Sequence, residues 1–121
     1  MSGHKIIVID DENIVGKMIK ATFEKDGYHV ETFLSAAPAL ERLKEEPFDV
    51  IITDLKMKGI DGMEVLRIVK KESPATKVIM ITAFASMDSA IEAVRGIVDD
   101  FFPKPFKIKD LKACIERLLG P

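Results

Sequence analysis

Five side chains in this chain could do chemistry together: Asp10, Asp11, Asp54, Thr82 and Lys104. Three carboxylates held close together repel, and one takes up a proton unless a cation lies between them. Oxygen ligands with no His or Cys nearby suit a hard cation. Mg²⁺ fits best, because it uses a few carboxylates and keeps positions open for water and phosphate. A lysine ammonium and a hydroxyl beside that cation form a phosphate clamp. A carboxylate next to such a clamp can accept a phosphoryl group, so the constellation points to an aspartyl phosphate. Taken singly, each residue has a plainer reading. Asp10, Asp11 or Asn13 could cap a helix, Asp54 could form a turn, Thr82 could end a strand, and Lys104 could be a solvated lysine. The joint placement favours the chemical reading, because a helix cap requires no matching groups elsewhere in the chain.

That placement depends on the elements that carry these residues. Five apolar runs read as strands: Lys5–Ile9, His29–Phe33, Asp49–Thr53, Lys77–Ile81 and Asp100–Phe102. The first, third and fourth are nearly continuous Ile and Val, as expected for strands covered on both faces. The second alternates more and belongs nearer an edge. Helical patterns lie between them. Val15, Ile19 and Phe23 form one stripe, ended by Gly27; Ser35 caps a second helix; Asp61 and Glu64 form a capping box for a third. Ser86 caps a fourth carrying Ile91 and Val94, and Ile108, Leu111, Ile115 and Leu118 line a fifth. The alternation predicts an α/β fold, a single doubly wound (βα)5 domain with a parallel five-stranded sheet, right-handed crossovers and helices on both faces. Ligands of such sheets bind beyond the carboxyl ends of the strands. Asp10 and Asp11 follow strand one, Asp54 ends strand three, Thr82 ends strand four, and Lys104 lies just past strand five. His4 and His29 fall at strand starts, on the opposite rim, and read as structural or surface residues. An acidic run follows the first strand where a nucleotide- or flavin-binding site would place a Gly-rich phosphate loop.

Composition narrows the class. The 121 residues are 47 % hydrophobic and 31 % charged, an ordinary globular balance that fits one domain over 1–121. The net charge of −2 lacks the basic excess of a free-standing nucleic-acid binder. The single cysteine, Cys114, excludes an internal disulfide and reads as a small buried apolar residue. No apolar run reaches bilayer length and the N-terminus lacks a signal peptide, so the expected location is cytoplasmic, with no membrane partner.

Five segments carry a resemblance: Ile9-Asp10-Asp11-Glu12, Thr53-Asp54-Leu55-Lys56-Met57, Asp61-Gly62-Met63-Glu64, Thr82-Ala83 and Lys104-Pro105-Phe106. In order and spacing the chain resembles receiver domains of bacterial two-component response regulators over essentially its whole length. The resemblance implies a flavodoxin-like topology of strand order 2-1-3-4-5. It implies that Asp54 is the phosphoacceptor, and that Mg²⁺, or Mn²⁺ in its place, is held by Asp11, Asp54 and the backbone carbonyl of Lys56, with Asp10 acting through a water. Lys104 then pairs with the phosphoryl oxygens, Thr82 hydrogen-bonds to one of them, Phe101 is the aromatic switch residue, and the Lys104–Pro105 bond is cis. The implied function is a phosphorylation-activated switch rather than an enzyme acting on a separate substrate. The partner is a sensor histidine kinase or a histidine phosphotransfer protein. The readout surface is the face made by the helix after Ser86, strand five and the last helix, addressed to an effector domain or a second copy of the chain.

The sequence departs from the family pattern in four places. Lys58 stands where Pro is common, and Ile97-Val98 stand where Gly-Ala is common. Phe101 lacks the hydroxyl of a Tyr. Lys56 and Phe84, two residues after Asp54 and Thr82, suggest shielding from water and a long-lived phosphate. Two competing readings are a phosphorylation-independent docking module and an aspartate-nucleophile phosphatase. The latter usually has two aspartates separated by one residue, whereas Asp10 and Asp11 are adjacent. The chain reads as a single-domain regulator or as a receiver cut from a longer protein at Gly120-Pro121. The Pro103-Lys104-Pro105-Phe106 run is similar to receivers attached to transcription-activating ATPases.

Overall fold

The computed structural model describes residues 3–57, 59–83 and 96–120. Within them the order is β1 (Lys5–Ile9), α1 (Asn13–Glu24), β2 (His29–Phe33), α2 (Ala36–Glu45), β3 (Val50–Asp54), α3 (Gly62–Glu72), β4 (Lys77–Thr82), β5 (Asp100–Pro103) and α4 (Ile108–Leu119). The helix expected after Ser86, with Ile91 and Val94, falls outside the described residues. All strand pairs are parallel, and the sheet runs β2-β1-β3-β4-β5, the expected order.

The continuous apolar runs divide between two cores because successive side chains point to opposite faces. Ile7, Ile9, Ile51, Val78 and Met80 meet α2 and α3 through Leu40, Val65 and Val69. Ile6, Val8, Val50, Ile52, Ile79 and Ile81 meet α1 and α4 through Ile19, Phe23, Leu111 and Ile115. Strand β2 lies at an edge and keeps only Val30 fully buried. Cys114 is buried as expected, and its thiol donates to Asp100 Oδ2 at 3.1 Å. Burial and that carboxylate push the thiol up to about 12.

Three strand ends differ from the sequence reading, and each difference bears on the rim. β3, β4 and β5 extend through Asp54, Thr82 and Pro103, because Asp54 pairs with Ile81 and Thr82 with Pro103. β3 also starts at Val50, since the Asp49 carboxylate accepts from the Lys5 N–H at 2.8 Å. The caps differ too. Asp61 accepts from the Glu64 N–H at 3.0 Å, but the Glu64 carboxylate turns to Arg67, so the capping box is one-sided. Ser35 occupies the N-cap of α2 without a side-chain bond, and Glu12, not Asp10, Asp11 or Asn13, is the N-cap residue of α1.

At the β2 edge of the sheet, Arg42 of α2 donates Nε and Nη2 to both oxygens of Glu31, at 2.8 and 3.0 Å. The guanidinium holds the Glu31 carboxyl well below the usual carboxylate range, at about 2. A lowered acid pKa contributes stability above its unfolded value and loses it as pH falls through its folded value. Glu31→Gln is therefore expected to cost roughly 1 kcal/mol at neutral pH, the scale of a bidentate but water-screened pair. In urea unfolding, the gap from wild type should close as pH falls from about 5 toward about 2. An unchanged gap across that window would remove Glu31 as its source.

Candidate functional site at the carboxyl ends of the strands

Asp10 leaves β1 buried, at 2 % exposure. Its backbone N–H donates to the Phe33 carbonyl at 3.0 Å, which ties it to the end of β2. Its Oδ1 accepts from the Glu12 N–H at 2.8 Å. This short-range turn aims the carboxylate back over the sheet and starts α1 at the next residue.

Asp54, the last residue of β3, is also buried. Its Oδ1 accepts from the Lys56 N–H at 3.2 Å. The following residue is fixed from two sides. The Leu55 N–H donates to Ile81 at 3.1 Å, and the Leu55 carbonyl accepts from the Gly62 N–H at 3.0 Å, which seats α3 against the strand end.

Lys104 closes the rim. Its backbone N–H donates to the Thr82 carbonyl at 2.8 Å, so the two residues are held side by side although 22 positions apart in sequence (104 minus 82). The Lys104–Pro105 peptide is cis, as expected. Lys104 Nζ donates to Glu12 Oε1 at 2.6 Å and to Asp54 Oδ2 at 3.0 Å, and lies 2.8 Å from Asp10 Oδ2. Thr82 is fully buried. Phe101 of β5 pairs with Met80 of β4 and packs, partly buried, on the α2–α3 side of the sheet.

The electrostatics follow from this crowding. Burial opposes the charge of Lys104, but Asp10, Glu12 and Asp54 outweigh it and raise the ammonium above the ordinary lysine value. Burial pushes Asp10 up, against the pull of Lys104 and the Glu12 N–H. Three carboxylates face one ammonium, which leaves excess negative charge when all are ionised. Asp10 Oδ2 is buried without an aligned hydrogen bond. An all-oxygen donor set with unneutralised charge fits a hard divalent cation.

The structure thus brings together Asp10, Asp54, Thr82 and Lys104 from four strand ends. Among the described residues, the carboxylates whose oxygens lie within 4.8 Å of one another are Asp10, Glu12 and Asp54. Asp11 is exposed and is not one of the three, and Lys56 is exposed. Glu12 is a site residue that the sequence reading does not single out, because it is one acid in the run Asp10-Asp11-Glu12. Phe84 and Lys58 lie outside the described residues. His4 and His29 sit at the amino ends of β1 and β2, far from this rim in the topology.

A family model for the response regulator receiver domain matches residues 6–116. The response regulator receiver protein CpdR of Brucella abortus (strain 2308) is 35 % identical over 115 residues, covering 95 % of this chain and 96 % of that protein. The DNA-binding transcriptional regulator NtrC of Proteus hauseri is 31 % identical over 119 residues, covering 98 % of this chain but 25 % of that protein, so this chain spans about a quarter of it. The solved structure of the response regulator protein TrrA from Thermotoga maritima, in complex with Mg²⁺-BeF, has a TM-score of 0.83 at 28 % identity, covering 95 % of this chain and 98 % of that one.

Proposed function

Since this chain belongs to the response regulator receiver domain family, we propose that it is a switch in two-component signalling, turned on when Asp54 takes a phosphoryl group from a phosphohistidine. The observation that carries this reading is the contact of Lys104 Nζ with Asp54 Oδ2 at 3.0 Å, on a rim built from four strand ends. The donor is a sensor histidine kinase or a histidine phosphotransfer protein.

In the transfer, an Asp54 carboxylate oxygen attacks phosphorus in line, a P–O bond forms, and the P–N bond to the donor imidazole breaks. The imidazole keeps the electron pair and takes a proton from solvent. Lys104 donates to the phosphoryl oxygens as negative charge spreads over them. Burial of Asp54 restricts water access, so the acyl phosphate outlasts the transfer. Asp11, Asp54 and the Lys56 carbonyl would hold Mg²⁺, with Asp10 acting through a water; the bound ion supplies positive charge at the phosphoryl oxygens. Thr82 hydrogen-bonds to one of those oxygens, and Phe101 moves into the space it leaves. That is a population shift between two packings, biased by new contacts to phosphate.

Residues 1–121 act in this reading as one receiver unit. Its output is a partner, a second copy of the chain, or an attached domain; the likeness to both CpdR and NtrC accommodates a free-standing receiver and a receiver within a regulator. No described helix is long and apolar enough to cross a membrane. We place the switch in the cytoplasm, beside the kinase that would serve it.

Intact-mass spectrometry after incubation with Mg²⁺ and a small-molecule phosphodonor tests the reading. The expected result is a gain of one phosphoryl group, lost when the metal is removed with a chelator. No gain under conditions that label an established receiver would leave a docking module instead.

A further inference from the structure

We propose that Glu12 is a positioning residue that holds the Lys104 ammonium in the unphosphorylated protein and must release it for phosphorylation, so that it sets the rate of phosphoryl uptake but not of phosphate loss. The inference rests on Asp54 being the phosphoacceptor.

An ammonium has three N–H donors. Here one goes to Glu12 Oε1 at 2.6 Å, the shortest of the three contacts, and one to Asp54 Oδ2 at 3.0 Å. Asp10 Oδ2 lies 2.8 Å away, so all three carboxylates crowd the one ammonium. A phosphoryl group on Asp54 adds three acceptor oxygens within reach of the same ammonium. Of the three carboxylates, only Glu12 can give up its share cheaply. Asp10 is buried and Asp54 carries the phosphate, whereas the Glu12 side chain is 58 % exposed and water can replace its partner.

The kinetic consequence follows from where the contact exists. It is present in the starting state for phosphorylation and absent from the transition state, so it raises that barrier. Hydrolysis begins with Lys104 already on the phosphoryl group and keeps it there in the transition state. The Glu12 contact is absent from both, and its effect cancels.

The test compares wild type, E12Q and E12D in full-length chain, with acetyl phosphate as donor and Mg²⁺ saturating for each variant. Uptake and decay rates are followed by intact mass. The expected result is that E12Q takes up phosphate about two- to fivefold faster, the effect of an exposed ion pair, with unchanged decay. E12D keeps the charge but is one methylene shorter, so it should also accelerate. Equal uptake in wild type and E12Q overturns the inference, as does a parallel change in uptake and decay. Fast E12Q beside wild-type behaviour in E12D overturns it too, since that pattern is plain repulsion of an anionic donor. Wild type that takes up no phosphoryl group overturns the phosphoacceptor reading itself.

Discussion

Asp54→Asn is expected to reduce phosphoryl uptake from one group per chain to none detectable, with a melting midpoint no lower than that of wild type. The amide nitrogen cannot serve as the attacking oxygen, and the amide carbonyl is too weak a nucleophile to replace a carboxylate. The fold is spared because the amide oxygen, standing in the place of Oδ1, can still accept from the Lys56 N–H, now at 3.2 Å, while the Lys104 ammonium, which loses Oδ2, keeps Asp10 and Glu12 beside it. One negative charge also leaves a group of three carboxylates that share one ammonium, which eases their repulsion. Intact mass and thermal melting on the same sample check both halves. Wild-type uptake by the Asn variant would move the acceptor elsewhere, and a collapsed melting midpoint would make Asp54 structural.

Gly62→Ala is expected to destabilise the protein by about 3 kcal/mol and to slow phosphoryl uptake more than tenfold. A Cβ at Gly62 would stand 2.3 Å from the Asp54 carbonyl oxygen, 2.8 Å from Leu55 Cα and 3.1 Å from the Asp54 carbonyl carbon. All three are backbone atoms, so no side chain can swing aside. Relief requires the start of α3 or the end of β3 to move, and the second displaces the proposed acceptor. Gly59→Ala separates space from conformation. Gly59 has φ +77° with nothing within 4 Å of an added Cβ, so only backbone strain of roughly 1 kcal/mol is expected there. Urea unfolding of the two variants, with uptake rates by intact mass, makes the comparison. Equal costs at the two positions would show that close packing at Gly62 is relieved without penalty.

The Gly62 position shows where local reasoning ends. Within a helix, glycine is a poorer choice than alanine, by up to about 1 kcal/mol in the interior, and Gly62 opens one. The sign reverses only because a strand end 8 residues earlier (62 minus 54) lies against it. Glu12 is a second case. In sequence it is one acid of a run of three, and nothing local separates it from Asp11. The turn closed by the Glu12 N–H on Asp10 Oδ1 accompanies a geometry in which Glu12 reaches Lys104 and Asp11 is exposed.

The sequence by itself determined the alternation of strands and helices, the two-faced burial of the Ile- and Val-rich runs, and the convergence of Asp10, Asp54, Thr82 and Lys104 on one rim. Those features follow from side-chain periodicity and from the rule that parallel strands share their carboxyl ends, both of which are local or topological. Tertiary structure alone decided the last paired residue of each strand, the bond from Lys104 N–H to the Thr82 carbonyl, and which acids share the ammonium. These depend on distances of a few tenths of an ångström between segments far apart in the chain, and no pattern of residue types encodes them until the two cores have packed.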